Sequence, residues 1–304
     1  MSNKILDLKL TYRCNNNCLY CCQDRNLRKL NSDLTIEYVK KTVNEELPIS
    51  KVVLTGGEPT THSKIVEIIE YLHKKQVPNI QLQTNAKTLS DKIFLKNLIN
   101  AGINSFGISI HGYNEYTHEA FTNTKNSFSN LVKALENIRY FDIPVALNCV
   151  VTKHNIDCLD KIYQFVIYND FANTLQYAFI HITGNAKLGL TDYVNITEAA
   201  EAIKIIIAKN TNPNTKIFTE AIPFCLMTNY EKNVSELYIN DNVVICDFRE
   251  KKHFRQKSFK NKPSTCKKCL FNSICPGTWM EYPEIFGTEE FIPIKEFRSK
   301  YKCL

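Results

Sequence analysis

The chain of 304 residues reads as an α/β protein, a partial TIM-like barrel of six βα units followed by a small cysteine-rich C-terminal domain. Three observations predict this. Strand-like and helix-like segments alternate from Ile5 to about Asn210, which implies a parallel sheet with helices outside it. No dinucleotide fingerprint opens any unit, so an incomplete barrel suits the pattern better than a doubly wound sheet. After Asn210 the elements shorten, turns become frequent and cysteines reappear.

The elements follow in order. Strands are predicted at Ile5–Thr11, Lys51–Thr55, Asn79–Gln83, Ser105–Ile110, Pro144–Thr152 and Asn173–Ile182. The helices between and after them are Thr35–Glu46, Ser63–Lys75, Ser90–Ala101, Phe128–Tyr140, Asn155–Tyr168 and Thr197–Lys209. The last carries Ile203, Ile206 and Ile207 on one side. Thr211-Asn212-Pro213-Asn214-Thr215 reads as a linker. The expected domains are therefore 1–210 and 216–304. In barrels of this kind the chemistry lies on loops at the C-terminal ends of the strands.

Bulk composition is ordinary for a globular protein, 44% hydrophobic and 23% charged. No run of eighteen apolar residues exists, which excludes a spanning helix. The start, Met1 to Asp7, alternates apolar and charged residues and is not a signal peptide. The expected compartment is the cytoplasm, where twelve cysteines point to metal rather than to disulfides. Their spacing agrees: Cys14, Cys18, Cys21 and Cys22 near one end, then Cys225, Cys246, Cys266, Cys269, Cys275 and Cys303 near the other. Only Cys149 and Cys158 lie between.

Net charge is +7, and the excess is local. Nine basic residues stand between Arg249 and Lys268 with Glu250 as the only acid. The plain reading is a solvated loop. The sharper one is a docking surface for an acidic peptide, nucleic acid or an electron donor, with nucleic acid the least favoured.

The first cysteine group reads Arg13-Cys14-Asn15-Asn16-Asn17-Cys18-Leu19-Tyr20-Cys21-Cys22. Three close thiolates can take three corners of a 4Fe–4S cube and leave one iron open. Zinc with Cys22 as fourth ligand is the alternative. Adjacent residues seldom both reach one metal, so Cys22 is expected to pack nearby. This CxxxCxφC spacing after a first strand, with Tyr20 as its aromatic, resembles the radical S-adenosylmethionine superfamily. The resemblance covers residues 1 to about 210.

Gly56-Gly57-Glu58-Pro59 follows the second strand where that family has its GGEP motif. Glycines let backbone approach a ligand closely, and the family implies that the motif binds the amino group of the methionine moiety. A simple Gly–Pro turn is the bland alternative. By the same resemblance Thr84, Asn85 and Ser109 contact the methionine part or the ribose, and Asn185 and Ala186 after Gly184 lie near the nucleoside. Asn148 is expected to face the barrel interior, which turns Cys149 toward the helices and into the core. His181 joins this set as its weakest member, since a lone histidine is often structural. His111 either lines the substrate pocket or caps a loop.

The second group is Cys225, then Cys266-Lys267-Lys268-Cys269, then Cys275. This spacing is a strong metal signal, and its four thiolates suffice for an auxiliary 4Fe–4S cluster, with zinc the alternative. It looks like the SPASM or twitch extension of the same superfamily. The match is incomplete, because Trp279 stands where a further cysteine is expected. One auxiliary cluster is therefore expected rather than two. Cys246 competes for a ligand position, and Cys303 could complete a second site.

The resemblance implies an enzyme that cleaves S-adenosylmethionine reductively to a 5′-deoxyadenosyl radical, with flavodoxin or ferredoxin as electron donor. The substrate reading is a peptide or protein, cross-linked through thioether or carbon–carbon bonds or epimerised. A separate peptide-recognition chain would accompany it, since the first strand begins at Ile5. Oxidation or rearrangement of a small molecule or cofactor precursor is the alternative. A non-catalytic iron–sulfur carrier is the alternative from another class.

Overall fold

The computed structural model describes residues 4–28, 33–239, 243–247, 252–254 and 258–296. Its strands are β1 (Ile5–Thr11), β2 (Lys51–Gly56), β3 (Asn79–Thr84), β4 (Ser105–Ser109), β5 (Val145–Val151), β6 (Thr174–Phe179), β7 (Lys216–Glu220), β8 (Val243–Cys246), β9 (Lys252–Phe254), β10 (Lys260–Asn261) and β11 (Thr278–Trp279). Its helices are α1 (Arg25–Arg28), α2 (Ile36–Glu46), α3 (Ile65–Lys74), α4 (Lys92–Ala101), α5 (Glu115–Thr122), α6 (Ser127–Arg139), α7 (Leu159–Tyr168), α8 (Ile196–Lys209) and α9 (Glu281–Phe286). None is long and apolar enough to cross a membrane, among the described residues.

Nine strands form one sheet in the order β7-β6-β5-β4-β3-β2-β1-β8-β9. Every pairing is parallel except β8 with β9. The alternation inside the strands explains the two faces. Leu6, Leu8 and Leu10 of β1 are fully buried, whereas Asp7 and Lys9 line an interior cavity. Val145, Leu147 and Cys149 of β5 are buried, and Asn148 and Val150 face that cavity. One face thus packs on helices and the other encloses a polar space. The expected core position of Cys149 follows from this period.

Helix boundaries are set by caps. Thr35 accepts from Tyr38 N–H at 3.1 Å to start α2, and Asp91 accepts from Ile93 N–H at 2.8 Å to start α4. The segment expected as one helix from Asn155 divides into a 3-10 turn at Ile156–Cys158 and then α7.

Two features depart from the sequence expectation. Helix α5 is additional: Asn114 and Thr117 close a capping box over it, and its buried residues are His118, Phe121 and Thr122. A buried face that is two-thirds polar leaves no apolar period to detect. The second departure concerns residues beyond the linker. β7 pairs with β6 and β8 pairs with β1, so the chain after Thr215 returns to the main sheet on both flanks. Among the described residues, β10 and β11 form a separate two-stranded sheet.

Candidate active site

The cavity lies at the C-terminal ends of the strands and has a volume of about 370 Å³. Cys14, Cys18 and Cys21 all line it, together with Tyr20, Gly56, Gly57, Thr84, Asn85, Ser109, Asn148 and His181. Most of the predicted residues are therefore brought to one space by six different strands. Cys22 is exposed at its rim.

The cysteine loop is held from three sides. Asn17 and Leu19 N–H donate to the carbonyls of Thr122 and Phe121 at 3.1 Å each, so the end of α5 carries the middle of the loop. Gly57 and Glu58 N–H donate to the Thr11 and Arg13 carbonyls at 2.7 Å. Ala186 N–H donates to Cys21 O at 3.2 Å, and Thr183 Oγ1 to Cys22 O at 3.1 Å. The Arg13 guanidinium adds a clamp, bonding Asp33 and the Thr61 carbonyl.

The glycines of the GGEP segment serve the chain itself. A Cβ on Gly57 would stand 2.3 Å from Arg13 O, and one on Gly56 would stand 2.2 Å from Thr11 O. Gly56 also has φ +129°, which disfavours any side chain. Their first duty is to let the loop dock on the cysteine segment, leaving the other side of the backbone on the cavity.

Glu58 is fully buried and absent from the cavity lining, as is Pro59. Its Oε1 accepts from Thr60 N–H at 3.1 Å, Thr60 Oγ1 at 2.7 Å and Thr84 Oγ1 at 2.7 Å. Its Oε2 accepts from Asn85 N–H at 2.8 Å. Burial pushes its carboxyl pKa up and these donors pull it back, with burial ahead. Glu58 therefore ties Thr84 and Asn85 to the GGEP segment. Asn185 and Ala186 are likewise buried off the cavity, and Ala186 supports the cysteine loop through its N–H.

The donors around Cys14 suit a thiolate. Asn16 N–H points at its sulfur at 3.4 Å and Asn85 Nδ2 at 3.8 Å. Asn85 is fixed in turn by Asn15 Oδ1 at 2.7 Å, and Lys87 Nζ reaches Asn15 O at 3.0 Å. Such N–H donors stabilise sulfur that carries negative charge.

Both histidines after β4 are buried against the cavity. His111 stacks on Phe121 with ring centroids 3.7 Å apart, and its backbone N–H donates to His118 Nδ1 at 3.2 Å. Burial, with His118 second, holds the His111 pKa well below the usual range, and burial takes His118 down to about 4. Both are neutral near pH 7. Asp7, Lys9, His118, Glu220 and Trp279 also line the cavity without having been singled out for it from the sequence. The polar positions of β1 were the signal for the first two.

The second cysteine group also assembles. Cys225, Cys266, Cys269 and Cys275 border one small cavity with Lys262. Burial, then the neighbouring Cys275, Cys266 and Cys269, pushes the Cys225 thiol up to about 12. Burial also raises Cys266 and Cys275. Thiols crowded this way ionise only with a cation to offset them, which is the condition a metal cluster supplies. Among the described residues no three Cys, His, Asp or Glu side chains converge on one point as ligands of a single ion do. The thiols stand around a space.

Cys246 does not join them. It is buried on β8 opposite Leu8, and its charged neighbours are Lys252, Glu46, Asp7 and Asp247. Cys303 lies outside the described residues, as do Arg249, Glu250, Lys251, Arg255 and Lys257 of the basic stretch. Of its remaining cations, Lys252 pairs with Glu45 and Glu46 at 3.1 and 2.6 Å, and Lys260 with Glu236 at 2.8 Å.

The two sites are neighbours across β11. Thr278 borders the four-cysteine cavity and Trp279 the large one, as alternate residues of a strand must. The Trp279 indole donates to Phe179 O at 2.8 Å, and Lys260 Nζ sits 3.7 Å from its ring centroid.

Comparison with known proteins agrees with this geometry. The chain is 29% identical over 163 residues to the AdoMet-dependent heme synthase of Methanosarcina barkeri, covering 53% of this chain and 46% of that one. It is 29% identical over 182 residues to the PqqA peptide cyclase of Bradyrhizobium diazoefficiens, covering 58% and 46%. These matches span about half the length of those relatives. The crystal structure of Streptococcus suis SuiB bound to precursor peptide SuiA superposes with a TM-score of 0.67 at 15% identity, over 90% of this chain and 71% of that one, and so shares the fold. Residues 8–166 match the model of the Radical SAM superfamily, more than half of the chain, and the protein is an enzyme of that superfamily.

Proposed function

We propose that this radical S-adenosylmethionine enzyme modifies a peptide, with an auxiliary iron–sulfur cluster beside the substrate cavity. The observation that carries the reading is the shared wall. Three cysteines and the polar strand ends open on one large cavity, and four more cysteines stand one short strand away.

Family membership implies a 4Fe–4S cluster and S-adenosylmethionine. When bound, they supply a 5′-deoxyadenosyl radical by reductive cleavage of the sulfonium, with flavodoxin or ferredoxin as the electron source. Cys14, Cys18 and Cys21 would hold the cluster and leave one iron for the ligand. Asn16 and Asn85 would steady the Cys14 thiolate. The Gly56–Gly57 backbone, Thr84 and Asn85 would hold the methionine portion, oriented by Glu58 from below. Ser109 and Asn148 would receive the ribose, and Tyr20 would close the wall beside the cluster. Asn185 and Ala186 would act at second hand, through the cysteine loop. Cys225, Cys266, Cys269 and Cys275 would hold the second 4Fe–4S cluster, the role we assign to residues 216–304.

The peptide substrate is supported by the names of the PqqA peptide cyclase and of SuiB bound to precursor peptide SuiA. The likeness to the AdoMet-dependent heme synthase favours a small-molecule precursor as the second reading. Co-expression with the short peptides encoded beside its gene, followed by mass spectrometry, separates the two. Loss of two hydrogens from one peptide, or gain of one deuterium at an inverted residue when expression is in D2O, is the expected result. Unmodified peptides alongside active cleavage of S-adenosylmethionine would reject the peptide reading.

A further inference from the structure

His181 is the one cavity histidine backed by a carboxylate. It follows β6, lines the cavity, and its side chain is 20% exposed. Its Nε2 donates to Glu281 Oε1 at 3.3 Å from the first turn of α9. An ionised carboxylate only accepts, so this contact fixes the proton on Nε2 and leaves the lone pair on Nδ1. Nδ1 has no partner among the described residues. The ring is gripped on its flat side by Trp279, stacked at 4.3 Å and 16°, and Phe259 meets it edge-on at 6.0 Å. Imidazole oriented by a carboxylate and open at its other nitrogen is the arrangement of a proton acceptor. His111 has no such partner and is sealed among rings, which suits hydrogen bonding and not proton transfer.

We propose that His181 is a catalytic base of the cavity, positioned by Glu281. The proposal rests on the radical reading above. Oxidising a substrate by two electrons removes two hydrogens. One leaves as a hydrogen atom to the 5′-deoxyadenosyl radical. The other must leave as a proton and an electron. The proton goes to His181 Nδ1 and the electron to a one-electron acceptor of the iron–sulfur class. The imidazolium so formed is stabilised by the Glu281 carboxylate and by the indole face.

Trp279 makes the proposal testable without substrate, because it is the only tryptophan in the chain. A protonated imidazole stacked on an indole quenches its fluorescence far more than a neutral one. The charged groups around the pair are Glu281, Lys187 acting on Glu281, Lys260 over Trp279 with Glu236 behind it, and His253 beyond Phe259. A pH titration of the reconstituted protein should show one step of Trp279 emission, lower on the acid side. His181→Gln should abolish the step. Glu281→Gln should retain it at lower pH, since the cation loses its partner. His253→Gln should leave it in place. A step that survives His181→Gln, or that Glu281→Gln does not move, would overturn the proposal.

The catalytic half is read as modified peptide formed per 5′-deoxyadenosine. This ratio should fall roughly 100-fold in His181→Gln, with partial rescue by added imidazole in His181→Ala. An unchanged ratio would reject a role as base. If the unsubstituted enzyme forms no 5′-deoxyadenosine, the radical reading fails, and the titration still decides the state of His181.

Discussion

The two cysteine sites use the same ligand and differ in number, access and surroundings. Cys14, Cys18 and Cys21 come from one loop and open on a cavity of about 370 Å³. Cys225, Cys266, Cys269 and Cys275 come from three segments and border a small space. At the first, backbone and amide N–H groups are turned on the sulfur of Cys14. At the second, burial and mutual repulsion raise the thiols. Three thiolates beside a large space leave a coordination position for a ligand. On the reading proposed above, four thiolates without such space would satisfy a cluster and suit it to holding an electron. Ligand count and room, rather than ligand chemistry, separate the two roles.

The largest effects should come from removing each ligand set in turn. Cys14→Ala with Cys18→Ala and Cys21→Ala should lose roughly half of the iron, and Cys266→Ala with Cys269→Ala should lose the other half. Iron analysis and electron paramagnetic resonance of the folded variants would show it. A triple variant that folds with no iron would mean that the sites are not independent.

Gly57→Ala tests the docking of the loop. Its Cβ would press on the Arg13 carbonyl at 2.3 Å, so the cysteine segment must shift. We expect loss of most first-site iron with the second site intact. Equal loss at both sites would indicate general unfolding instead.

Glu58→Gln is milder. An amide turns donors toward the N–H and hydroxyl groups that Glu58 now accepts from, at a cost of about 1–3 kcal/mol. S-adenosylmethionine should bind about ten-fold more weakly, measured by calorimetry on the reconstituted protein, with iron content unchanged. A complete loss of binding would instead assign Glu58 a direct contact.

A last effect touches stability rather than either site, and concerns α5, which supports the loop from beneath. His118 has a folded pKa near 4 against 6.5 when free. The unfolded chain takes up a proton first as pH falls, so stability is present above about 6.5 and declines down to about 4, by on the order of 3 kcal/mol. His118→Gln should flatten that part of the stability–pH curve, read by thermal melts. An unchanged curve would place the acid sensitivity elsewhere.

Local spacing and strand period carried much of this picture in the sequence. The cysteine triplet, Gly56 to Pro59 and the polar residues ending β3, β4 and β5 were legible because each lies within a few residues of its motif. Even the burial of Cys149 followed from alternation with Asn148 and Val150. What escaped depends on distant partners. Glu58 was legible as part of its motif, whereas the donors Thr84 and Asn85 reach it only in the fold. Val243–Cys246 reads as a short apolar run, and nothing in it reveals that β1 is its neighbour. That pairing is what removes Cys246 from the second site. Helix α5 escaped because His118 and Thr122 occupy its inner face. The glycines were recognised, yet what they approach is Thr11 and Arg13, a fact of tertiary packing.

The most direct test of the central claim is the formation of 5′-deoxyadenosine by the anaerobically reconstituted protein with S-adenosylmethionine and dithionite. The unsubstituted chain should produce it, and the variant lacking Cys14, Cys18 and Cys21 should produce none. Absence from the iron-loaded unsubstituted protein, or equal amounts from both, would contradict the assignment of the first cysteine site.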